Sequence, residues 1–192
     1  MQEIGFSSLF YSKVIVELGM GDGRLIEALA THNNNSLCIG IEIDSTQCRL
    51  AKSRVSRLSN VVIMNCSFVD VVPTFMDESI SQFIMVLPDP AYIDGNREDQ
   101  WKPFYKTIYS KLKKRGTLRL VTELTDEILQ PVRDDQYLRW TCWLKSSFRS
   151  LGFALTSHNE GSPREYFSSC LEQFRGDPQR IRMITLNLQK LK

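Results

Sequence analysis

Histidine is scarce in this chain, with only His32 and His158, and its five cysteines (38, 48, 66, 142 and 170) form no Cys-x-x-Cys pair. That scarcity argues against a zinc site and for reduced thiols in a reducing compartment. Both histidines read as surface or loop residues. No apolar run reaches the roughly 20 residues of a membrane-spanning helix, and the first residues hold no signal-peptide core. A soluble, cytoplasmic protein with no membrane partner and no metal is therefore expected. Internal repeats are missing, and the one low-complexity patch, Asn33-Asn34-Asn35, reads as a helix-to-strand loop. Neither sign of charge dominates. The 24 Lys and Arg against 22 Asp and Glu leave +2, which permits an RNA partner without demanding one.

What is present is a regular alternation. With 192 residues, 42% of them hydrophobic, the chain suits one domain over 1–192 with a sizeable core. Apolar, β-branched segments predict strands at 13–18, 37–43, 61–66, 80–87 and 117–123. Helical patterns fall at 23–32, 45–58, 101–114 and 134–151. Leu25, Ala28 and Leu29 mark the expected inner face of the first helix, and Leu50, Ala51 and Val55 that of the second. Asp44-Ser45 reads as an N-cap for the second. At the end, Phe153–Ser157 and Arg182–Leu188 read as two further strands, joined by a long polar segment with no clear helix. The expected fold class is α/β: a doubly wound, mostly parallel sheet of about seven strands, with helices on both faces and an antiparallel C-terminal edge hairpin.

In such sheets ligands bind beyond the carboxyl ends of the strands, and three features fall there. The first is Glu17 followed by glycines at 19, 21 and 23, a turn whose exposed N–H groups suit a polar ligand end. The second is Gly40-Ile41-Glu42, where an acidic residue about twenty positions on can accept both hydroxyls of a ribose. Asp44 is the rival, and its capping role favours Glu42. The third is Leu87-Pro88-Asp89-Pro90, a carboxylate held between two prolines that restrict the backbone and remove competing N–H donors. A dinucleotide fingerprint would place its last glycine at position 24, which is Arg24.

Glu-x-Gly-x-Gly-x-Gly with Gly-Ile-Glu resembles the cofactor pocket of class I S-adenosylmethionine-dependent methyltransferases. Within that class, Leu87–Pro90 resembles the Phe-Pro-Asp-Pro-Trp signature of the tRNA (guanine-N7)-methyltransferase family. Gly116–Glu123 resembles its glycine, strand and Thr-Asp, and Ser169-Cys170-Leu171-Glu172 its Thr-x-Phe-Glu segment. The resemblance implies that Glu17, Gly19, Gly21, Glu42, Ser67 and Phe68 bind S-adenosylmethionine, released as S-adenosylhomocysteine. It further implies that Asp89 is catalytic, that Thr122, Glu123, Ser169 and Glu172 touch the acceptor, and that the partner is RNA, specifically tRNA. Nitrogen 7 of guanine carries a free lone pair and no proton, so alignment and hydrogen-bond acceptors suffice.

The chain also departs from that family. Ala91 stands where it has tryptophan, and Ser67-Phe68 where it has Asp-Ala. The acidic run Tyr92–Gln100 replaces a basic one that would grip phosphates. Asp89-Pro90-Ala91-Tyr92 is one residue from the Asp-Pro-Pro-Tyr signature of enzymes that methylate exocyclic amines. Gly21–Arg24 and Ser59–Val62 resemble rRNA adenine methyltransferases that confer aminoglycoside resistance. A degenerate methyltransferase-fold binding module is the non-enzymatic alternative. Tyr92 is a candidate to stack on a base, and packing is preferred for Trp101.

Overall fold

The computed structural model describes residues 11–126, 128 and 130–191, with the side chain of Ser169 outside that description. The order is β1 (Lys13–Leu18), α1 (Arg24–His32), β2 (Ser36–Glu42), α2 (Ser45–Arg54), β3 (Val61–Asn65), α3 (Phe68–Val71), β4 (Ile80–Val86), α4 (Glu98–Lys111), β5 (Leu112–Thr125), α5 (Asp134–Ser150), β6 (Phe153–Glu160), α6 (Ser169–Arg175) and β7 (Ile181–Lys190). The strands form one seven-stranded sheet, β3-β2-β1-β4-β5-β7-β6. Neighbours from β3 to β5 pair in parallel, and β7 runs antiparallel to both β5 and β6. The C-terminal hairpin is thus present, but β7 inserts beside β5 and leaves β6 at the edge.

Period-two alternation along β1 divides the core. Val14, Val16 and Leu18 pack with Trp101, Tyr105 and Ile108 of α4 and Leu144 and Phe148 of α5. Ile15 packs instead with Leu25, Ile26 and Ala30 of α1, Ala51 of α2 and Leu171 of α6. Helices therefore cover both faces, and every β1 residue from Val14 to Leu18 is buried, Glu17 included.

Several expected details are corrected. Leu50 is 51% exposed, because the inward line of α2 runs through Cys48, Ala51 and Val55. On α1 the buried residues are Leu25, Ile26 and Ala30, with Ala28 and Leu29 half-buried. The second helix stops at Arg54, where Val55 N–H turns back to the Ala51 carbonyl. The helix expected over 101–114 starts and ends three residues earlier, and β5 begins at Leu112, paired with Ile80. The polar tail segment holds α6, capped by the Ser168 hydroxyl, which accepts from Leu171 N–H. Asp44 caps α2 as expected, accepting from Thr46 and Gln47 N–H at 2.7 and 2.9 Å.

Gly23 locks the glycine turn onto α2. Its φ is +82°, and a β-carbon there would stand 2.7 Å from that of Ala51. Gly23→Ala should therefore cost about 2–4 kcal/mol, from left-handed strain plus overpacking. Leu50→Ala on the same helix should stay within about 0.5 kcal/mol. Urea unfolding of the two variants checks the contrast, and equal losses would contradict this packing.

Candidate active site

Register brings the chemistry-bearing residues to one edge of the sheet. Glu17 lies opposite Gly40 on β2 and Ile84 on β4, and Val86 lies opposite Val121 on β5. The carboxyl ends of four strands therefore present the glycine turn, Glu42, the Leu87–Asp89 corner and Thr122-Glu123 side by side. Two cavities open along this edge. One, of about 300 Å³, is lined by Glu17, Gly19, Gly21, Glu42, Leu87 and Tyr166 among others. The second, of about 820 Å³, is lined by Asp89, Glu123, Arg97, Arg139, Trp140 and Trp143 among others. Leu87 faces the first while Pro88 and Asp89 face the second, so the corner stands between them. Leu87 adopts φ +51°, with its N–H held by the Val121 carbonyl at 2.8 Å. A branched residue before proline in that region stores roughly 1–3 kcal/mol of strain, a cost typical of functional corners.

In the first cavity, Glu17 is 3% exposed and its Oε2 has no hydrogen-bond partner among the described residues. Burial, then the nearby charges of Asp22 and Glu42, push its carboxyl well above the usual carboxylate range. Gly19 and Gly21 hold positive φ, and a β-carbon on either would meet nothing within 4 Å, so the turn is an open cradle. Glu42 braces the turn: one oxygen accepts from Gly21 N–H and the other from Asp44 N–H, both at 2.9 Å. Asp22 is tied to Arg24 at 2.9 Å and to Arg54 at 3.4 Å. Arg24 also reaches Glu172 of α6 at 3.6 Å, which links the turn to the segment covering the cavity. Tyr166 of that segment is fixed by Arg119, which donates to its hydroxyl at 3.0 Å.

The second cavity is built differently. Asp89 is exposed, and its carboxylate accepts from Ala91 N–H at 2.8 Å to cap a short turn. Thr122 is buried, and Glu123 presents a buried Oε2 with no partner among the described residues. Burial raises the Glu123 carboxyl from 4.5 to about 7. Half-buried Trp140 and Trp143, one turn apart on α5, add the aromatic surface.

A family profile described as "Putative methyltransferase" matches residues 11–142. The chain belongs to this methyltransferase family. It is similar to the tRNA (guanine-N(7)-)-methyltransferase of Yersinia enterocolitica, 28% identical over 127 residues covering 62% of this chain and 53% of the relative. The counterpart from Serratia proteamaculans is 28% identical over 114 residues, covering 57% and 48%. The chain thus spans about half the length of the curated relatives it matches. Among solved structures, the 16S rRNA methyltransferase KamB superposes with a TM-score of 0.71 at 14% identity, over 95% of this chain and 89% of that one. The 16S rRNA (adenine(1408)-N(1))-methyltransferase of Catenulisporales acidiphilia, solved with its cosubstrate, gives 0.69 at 14%, over 96% and 88%. At such identity these two likenesses establish the Rossmann-like fold.

Other expected site residues are more scattered. Ser67 caps α3 by accepting from Val69 N–H at 3.2 Å. Phe68 packs against Tyr92 and Phe104, with centroids 5.1 and 5.3 Å apart, and neither Ser67 nor Phe68 lines the two cavities. Tyr92 is therefore occupied by packing, as is Trp101, 2% exposed. Ser169 opens α6, but its side chain lies outside the described residues. Glu172 is directed to Arg24 at the glycine turn, on the first-cavity side. Sequence reading missed Tyr166, Trp140 and Trp143. The tryptophans carried a signal, since their spacing of three on a recognised helix places both on one face.

Glu123 gives this site a pH signature. Its carboxyl titrates at 4.5 when unfolded and near 7 when folded, so the folded state holds the proton more tightly. The cost is absent below about pH 4.5, grows as pH rises to about 7 and is constant above. Glu123→Gln should gain up to about 3 kcal/mol over the native chain across that window, one pKa unit being 1.36 kcal/mol. Urea titrations from pH 4.5 to 8 measure the difference; parallel curves would refute it.

Proposed function

We propose that this methyltransferase moves the methyl group of S-adenosylmethionine to nitrogen 7 of guanine in RNA, with tRNA as the substrate class. The observation that carries the reading is a pair of buried carboxyl oxygens, Oε2 of Glu17 and of Glu123, unpartnered among the described residues and on opposite sides of the Leu87–Asp89 corner. Buried acceptors of this kind cost stability unless a ligand donates to them.

The first cavity fits the cofactor. The Glu17 oxygen suits a cationic amine, the open glycine cradle admits a chain close to the backbone, and Glu42 stands where ribose hydroxyls would be received. When bound, S-adenosylmethionine supplies an electrophilic methyl on a sulfonium. The protein's own residues then hold, orient and exclude water. Asp89 and Glu123 accept from the amine and ring N–H edge of the base and stabilise the positive charge that forms as N7 is alkylated. No general base is required, because N7 loses no proton.

The support for guanine-N7 comes from the Pro-Asp-Pro corner, from Thr122-Glu123 and from the activity for which the Yersinia and Serratia relatives are named. The exocyclic-amine alternative needs Tyr92 free to stack on a base, and its engagement with Phe68 and Phe104 counts against that.

Incubation with labelled S-adenosylmethionine and bulk tRNA or rRNA, followed by nucleoside mass spectrometry, tests the reading. N7-methylguanosine is expected; N6-methyladenosine would replace it, and unlabelled RNA would favour a binding module. Glu17→Gln should weaken cofactor binding roughly tenfold to a hundredfold, one charge-assisted hydrogen bond contributing about 1.5–3 kcal/mol. The same variant should unfold at higher urea without cofactor, because the acid whose charged form burial, Asp22 and Glu42 disfavour is gone. Asp89→Asn should lose most turnover with cofactor affinity nearly intact. Calorimetry and turnover separate these outcomes, and an active Asp89→Asn would remove Asp89 from the chemistry.

A further inference from the structure

The acidic run Tyr92–Gln100 has a structural use. It docks onto α5 and fixes one tryptophan. Glu98 Oε1 accepts from Trp143 Nε1 and also from the Ser147 hydroxyl, the latter at 2.8 Å. The backbone of Gly95 lies against the same ring, since a β-carbon there would stand 3.4 Å from Trp143 Cζ2. Trp101, whose Nε1 donates to the Asp94 carbonyl at 2.8 Å, meets Trp143 edge-on with centroids 6.2 Å apart. The polar edge of Trp143 is thereby satisfied, and its ring, with that of Trp140, is left to line the second cavity. Glu98 also pairs with Lys102, and these donors hold its carboxyl below the usual range, so it remains a charged acceptor for the indole.

We propose that Trp140 and Trp143 form the stacking wall for the acceptor base, and that Glu98 is the positioning residue that sets the Trp143 ring. The inference rests on the reading that the second cavity receives an RNA base. An indole face offers every base a π-surface, and stacking is tolerant of sequence, so discrimination falls to Asp89 and Glu123. Arg97 and Arg139 at the rim are already paired with Asp94 at 3.5 Å and Asp135 at 2.8 Å. Recognition in this segment therefore shifts from the phosphates to the base itself.

The probe is a short fluorescein-labelled, guanine-containing single-stranded RNA, titrated by anisotropy into the full chain with S-adenosylhomocysteine present. Trp143→Ala and Trp140→Ala should each weaken binding roughly tenfold or more, the usual scale for removing one base–aromatic stack. Trp143→Phe should retain most of it. Glu98→Ala should behave like Trp143→Ala, while Glu98→Gln, which keeps an acceptor for the indole, should recover most affinity. Cofactor affinity should stay unchanged in all of them, and thermal unfolding confirms that each is folded. A native chain that does not bind the RNA, or folded alanine variants that bind it as the native chain does, would overturn the wall. Methyl transfer is scored separately on the native chain: loss of transfer with the binding pattern intact would sink the methyl-transfer reading and leave the wall standing.

Discussion

The buried Glu17 carboxyl, whose Oε2 has no partner among the described residues, is the constraint around which the first cavity is arranged. It sits in a strand otherwise built from Val, Ile and Leu, and its neighbours Asp22 and Glu42 add repulsion. The available cations do not relieve it. Arg24 and Arg54 are engaged by Asp22 on the outer side of the glycine turn. A hydrophobic residue at position 17 would satisfy the sheet better. The acid is tolerable because Glu42 ties down the turn, α6 closes over it, and a cation from outside can complete it.

The β4 corner gives the edge its division of labour. Leu87 accepts a left-handed backbone so that its side chain can wall the first cavity while Asp89 opens on the second. Two rigid neighbours over-determine that strain: the hydrogen bond to Val121 and the proline that follows. An electrophile held on one side and a planar nucleophile on the other would then meet across a single backbone turn. Transfer without a general base needs that kind of alignment.

Strand ends were legible in the sequence, because local signals decide them. Glycine spacing, the Asp44 cap and the Pro-Asp-Pro corner each follow from backbone chemistry within a few residues. Helix faces were less legible. Leu50 looked inward by hydrophobicity alone, yet the close approach of Gly23 selects Ala51, and Leu50 is turned to solvent. The tail helix was hidden because its pattern is short, with Leu171 the one fully buried side chain among its described residues, and its place depends on distant partners such as Arg24. Trp140 and Trp143 lay on an expected helix, but no local rule says that residues about forty positions earlier complete a cavity beside them.

The two ends of the sheet differ in one respect that bears on function without reference to any relative. At the end opposite the cavities, buried polar groups among the described residues find partners. Asn60 Nδ2 donates to the Ala30, Asn33 and Ser36 carbonyls, and Lys190 Nζ to Glu78 and to the Ser110 and Leu112 carbonyls. At the carboxyl end lie Oε2 of Glu17 and of Glu123, unpartnered among the described residues, and the strained Leu87. A sequence that satisfies its buried polar groups with care at one end has the means to do so at the other. Leaving them unmet in two adjoining cavities carries a stability cost that ligands offset by bringing a donor to each side of the corner.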